Sequence, residues 1–192
     1  MTKKVINQKG KLDEIFINSI ENKYNFNNKP INRLNLLRDN EVENSGNKIK
    51  LLNELKKKIN SIEDCNLKNN SKNLVMGNGN INSPIMIVGE APGIEEDKSA
   101  IVFQGEIGEL LDKMLIAIDI ERKNIYCTYA VNFRPPEDRK PSSQEIKKYS
   151  NFLKEHISII NPRIIVLMGS SAMEAITGIN GKISSERGKW KE

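Results

Sequence analysis

The residues best equipped for chemistry are Gly89-Glu90-Ala91-Pro92-Gly93 and, just after them, Glu95-Glu96-Asp97. Two glycines and a proline in so short a space force a bend that neither a strand nor a helix interior tolerates. Carboxylates carried by such a bend place functional groups at the carboxyl edge of a sheet. Phe103 and the pair Gly105 and Gly108 follow a few residues later. Other reactive side chains are sparse. Cys65 and Cys127 lie far apart with no C-x-x-C spacing, which argues against a disulfide framework and for a reducing, intracellular setting. Cys127 sits in an apolar stretch and reads as core, as does His156, the one histidine, in the middle of a helical pattern.

The bend needs a scaffold. Ile85-Met86-Ile87-Val88 before it is a continuous apolar run of strand length. Leu110, Leu111, Met114 and Leu115 after it have helical spacing, predicting a helix over 106–118. A second strand is expected within 124–131, rich in β-branched and aromatic residues. Arg134-Pro135-Pro136 then halts regular structure. Ser142 or Ser143 caps a helix running to about 159, and Pro162 ends it. Arg163–Met168 is a third strand, near-continuously apolar as when both faces are covered. Gly169-Ser170-Ser171 opens a further helix. Strands alternating with helices imply right-handed crossovers and a parallel sheet between two helical layers. A bend at the carboxyl end of a strand is where open α/β proteins keep their sites.

Upstream, one helical face is expected over Leu12–Ile20 and a clearer one from Ile49 to Ile62. Residues 25–47 between them, rich in Asn, read as a loop holding a short helix at best. A short strand is expected at Leu74–Met76. Lys56-Lys57-Lys58 reads either as a solvated helix face or as a DNA contact. The net charge of +5 suits a polyanion, though a solvated surface explains it equally. No apolar run reaches membrane-spanning length and the amino terminus lacks the apolar core of a signal peptide, so the expectation is a cytoplasmic monomer away from membranes.

Five stretches in order, GEAPGIEED (89–97), FQGEIGELLDKML (103–115), YCTYAVNFRPPEDRKPSSQEI (126–146), INPRIIVLMGSSA (160–172) and RGKW (187–190), resemble uracil-DNA glycosylases of the family 4 type. The resemblance implies a three-layer α/β/α fold with a short parallel sheet, here expected to lack its last strand, preceded by N-terminal helices. Residues 1–64 would form the extension and 65–192 a C-terminally truncated glycosylase domain. The implied activity is base excision repair: hydrolysis of the N-glycosidic bond of uracil in DNA, leaving an abasic site. Extruding a base costs a few kcal/mol, which the pocket must recover.

On the matching positions, Glu96 is the acidic residue near the sugar, the alternative being a solvated acidic loop. Phe103 is the ring that stacks on uracil, the alternative being ordinary core packing. Glu90, Ala91 and Gly93 line the base pocket, the alternative being a plain structural turn, and Tyr129 stands where the family reads the uracil edge with an Asn. Arg134 and Arg139 suit the DNA backbone, and Ser170 and Ser171 at a helix start suit its phosphates. Many relatives hold an iron–sulfur cluster through four cysteines. Here Cys65 alone keeps such a position, with Ile62, Phe133 and Tyr149 at the others, so no cofactor or metal is expected. The family's later H-P-x motif, whose His stabilises the departing uracil anion, would lie beyond Glu192. The alternative reading is a catalytically inactive truncated or split remnant with DNA or partner binding at most.

Overall fold

Helix α1 (Arg33–Asn60) follows the apolar repeat from Ile49 as far as Ile59, stops before Ile62, and extends well ahead of the repeat. In this computed structural model, which describes residues 33–63, 65–188 and 190–191, positions 33–47 are therefore helical, against the expectation of a loop. Once a helix is nucleated by a packed segment, each further residue adds a hydrogen bond at low entropic cost. The helix expected over Leu12–Ile20 lies outside the described residues.

The chain continues through α2 (Asn66–Asn70), β1 (Gly77–Gly79), β2 (Ile85–Gly89), α3 (Ile94–Ser99) and α4 (Gly105–Ile116). After a 3-10 turn at Arg122–Asn124 come β3 (Tyr126–Tyr129), α5 (Ser143–Ile160), β4 (Ile164–Leu167), α6 (Ser170–Thr177) and α7 (Ile183–Glu186). The sheet order is β1-β3-β2-β4. β3, β2 and β4 are parallel and β1 pairs antiparallel with β3. The added edge strand falls three residues later than expected. Its glycines explain why: a Cβ on Gly79 would lie 2.1 Å from the Ile125 carbonyl oxygen, and one on Gly77 2.8 Å from that of Cys127. Leu74 and Val75 are buried just before the strand.

The period of two along the strands sorts side chains into two cores. Met86, Val88 and Tyr126 meet Leu55 and Ile59 of α1, Tyr149 and Leu153 of α5, and Ala172 of α6. Ile87, Cys127 and Tyr129 meet Leu111 and Leu115 of α4. Three layers, α/β/α, result, and Val42–Glu192 forms one compact unit. At the start of α5 the Ser142 hydroxyl accepts the Glu145 N–H while the Glu145 carboxylate accepts the Ser142 N–H, a reciprocal cap. β4 departs from expectation. Ile165 and Leu167 face the first core, but Ile164 and Val166 remain 39% and 43% exposed. Among the described residues α4 lies over β2 and β3, which leaves this second face of β4 only partly covered. Among the described residues no helix is long and apolar enough to cross a membrane.

Candidate active site

β2 ends at Gly89, opposite Tyr129 in the parallel ladder. A Cβ on Gly89 would lie 2.7 Å from the Tyr129 ring and 2.9 Å from Cζ of Phe103, so both rings press on bare backbone. The bend then reaches Gly93, the N-cap of α3, and Glu96 at the third position turns back on it. Glu96 Oε2 accepts the Gly93 N–H at 3.0 Å. Its Oε1 accepts the Gln104 N–H at 3.0 Å and the Tyr129 hydroxyl at 3.1 Å. Glu96 is only 5% exposed, which removes the solvated-loop alternative.

Phe103 has φ of 53°, a left-handed conformation uncommon for a residue with a side chain. Its N–H donates to the Tyr129 hydroxyl at 2.9 Å, and the two rings are tilted by 52° with centroids 5.0 Å apart. Phe103 is 4% exposed and belongs to the second core, which is the packing alternative, yet it is in contact with the bend as a base platform must be. Burial, aided by the Glu96 group, keeps the Tyr129 phenol protonated well above its ordinary range.

A second group of predicted residues gathers beside this one. The chain leaving β2 goes to α4 on one face and the chain leaving β4 goes to α6 on the other. Glu90 is half-buried, its Oε2 3.5 Å from where a Cβ on Gly169 would sit. Ser170 is half-buried and Ser171 buried, both in the first turn of α6. Ala91 packs against the first core. Arg134 and Arg139 lie further along the surface, each already paired. Arg134 binds both oxygens of Asp138 at 2.6 and 2.9 Å, and Arg139 both oxygens of Glu145 at 2.8 and 2.7 Å.

Sequence reasoning passed over Gly89 as a packing position and missed Arg122 altogether. The first was legible in principle as a glycine at a strand end. The second carries no local signal, since its partners are 10 to 20 positions away. His156 is in the first core, its Nε2 3.0 Å from the Tyr126 hydroxyl, and burial pushes it down to about 4.

Loops that leave neighbouring parallel strands for opposite faces open a crevice at the carboxyl ends, and α/β proteins of this class bind ligands there. A family model described as the uracil DNA glycosylase superfamily matches residues 76–192. The chain belongs to that superfamily. It is 36% identical over 139 residues to the type-4 uracil-DNA glycosylase of Thermotoga maritima, covering 72% of each chain. To that of Archaeoglobus fulgidus it is 36% identical over 125 residues, 65% of this chain and 63% of the relative. To that of Sulfurisphaera tokodaii it is 38% identical over 148 residues, covering 73% and 67%. The chain thus spans between 63% and 72% of the length of these relatives.

The four positions where the resemblance puts cluster ligands come together in the first core. Cys65, Phe133 and Tyr149 are buried there and Ile62 packs against them. The Cys65 sulfur lies 3.1 Å from the Tyr149 hydroxyl, and the Phe133 and Tyr149 rings are 6.3 Å apart. One thiol, already hydrogen-bonded, among three side chains without sulfur does not fit a cluster held by four thiolates.

Proposed function

We propose that this chain hydrolyses the N-glycosidic bond of uracil in DNA, as the first step of base excision repair in the cytoplasm, and does so without an iron–sulfur cluster. The observation that carries the reading is the junction of Glu96, Tyr129 and Phe103 at the end of β2, in a chain of this superfamily. A carboxyl group offers roughly four acceptor directions, of which three are filled, and the last is available to water or to charge developing on the sugar. A flat pyrimidine reaches the Phe103 face if the Tyr129 ring swings aside, which breaks two hydrogen bonds. Arg134, Arg139 and Ser170 supply the backbone side of the interface. The ion pairs of the two arginines are partly exposed, and a phosphate competes for the guanidinium groups.

Incubation with uracil-containing single- and double-stranded DNA, followed by scoring of abasic sites, tests this. Product is expected, falling by about a hundredfold or more in Glu96→Gln. A folded protein that yields none overturns the activity. A second reading, DNA binding without excision, is favoured by one observation: the Tyr129 hydroxyl spends both its bonds inside the site. Salt-sensitive DNA binding without abasic sites would decide for it.

A further inference from the structure

We propose that Arg122 is a positioning residue for Phe103, holding the ring through its backbone; the inference deepens the reading above, in which Phe103 is the base platform. The Phe103 peptide is gripped at both ends. Its N–H is taken by Tyr129, and its carbonyl oxygen accepts from Arg122 Nη2 at 2.9 Å. The same Nη2 donates to the Val102 carbonyl at 2.7 Å. Nη1 points at the Gly108 carbonyl at 3.4 Å and pairs with the Asp112 carboxylate at 3.2 Å. The guanidinium carbon stands 5.5 Å from the centre of the Phe103 ring. Arg122 therefore ties the segment before α4, the first turn of α4 and the platform ring to the turn that leads into β3.

Two features make this more than a generic surface contact. First, Phe103 has φ of 53°, and a side chain in that region is held only where its surroundings over-determine it. Second, the carbonyls of Val102 and Phe103 precede α4, so no helical bond satisfies them. A flat guanidinium fork reaches several acceptors at once in a way a lysine ammonium does not. Gly108 completes the device: a Cβ there would lie 2.0 Å from the Phe103 carbonyl oxygen, so only glycine lets α4 come this close.

The test is amide hydrogen exchange across the whole chain, with Arg122→Gln as the main variant and Asp112→Asn as a milder one. In Arg122→Gln the amides of Phe103 and Gln104 are expected to exchange about tenfold faster or more, while those of β2 and α5 stay within about twofold. Asp112→Asn is expected to act in the same direction and less. Unchanged exchange at Phe103 in both variants, or an equal rise throughout the chain, would make Arg122 an ordinary stabiliser and overturn the assignment. The readout needs no substrate. Local loosening in a chain that excises no uracil would remove the glycosylase reading and leave the role of Arg122 standing.

Discussion

The two faces of the sheet use similar side chains to different ends. On the α1/α5 face, Tyr126 meets His156 and Tyr149 meets Cys65, each polar atom finding one partner in ordinary backbone surroundings. On the α4 face, Tyr129 meets Phe103 and Glu96, and there the backbone is in a left-handed conformation and an acid is buried. Aromatic rings with satisfied hydroxyls are thus no mark of function by themselves. What separates the faces is a conformation held against its own preference beside a group able to do chemistry.

If that contrast is right, the first face carries stability. Tyr149→Ala removes the ring that fills the space among Cys65, Phe133 and Phe152. It should cost about 3–5 kcal/mol in urea unfolding, by the usual cost of deleting a buried aromatic. Exchange at Phe103, on the far side of the sheet, should stay as it was. A loss below about 1 kcal/mol would erase the distinction between the faces.

Next in size is the response to acid. Burial lowers His156 from 6.5 to about 4, so the folded chain holds it neutral while the unfolded chain protonates it. Stability is then complete above pH 6.5 and is lost as pH falls toward 4, by about 3 kcal/mol in all. Unfolding free energies measured across this window should show that slope, and His156→Gln should flatten it.

The smallest effect belongs to the surface pair. The hydrogen bonds from Arg139, followed by those from Ser142, bring Glu145 down to about 2 from 4.5. Its contribution is present above pH 4.5 and is lost as pH falls toward 2. Glu145→Gln should cost about 1 kcal/mol at neutral pH, through the lost ion pair with Arg139 since glutamine keeps the cap, and nothing measurable near pH 2. A thermal melt of both proteins at the two pH values checks this.

How much of this could be read beforehand follows from the range of the forces. β2, α4 and the capped start of α5 were legible because apolar period and cap chemistry are local. So was the gathering of Glu96, Gly93, Phe103 and Tyr129, through the ordered motifs. The helix over 33–47 was hidden behind its Asn-rich composition, because propagation from a packed neighbour is not a local property. β1 was displaced because a close backbone approach, and not hydrophobicity, chose its glycines. The bare face of β4 was misread since an apolar strand does not reveal which of its neighbours exist. Arg122 went unseen because carbonyls, its main partners, are the same at every position.

Ile164 and Val166 have a practical consequence. They lie at the margin of the sheet, where among the described residues β4 has β2 as its sole neighbour. Greasy side chains beside unsaturated main-chain groups invite adhesion between molecules, so purity and shelf life will turn on how dilute the preparation is kept.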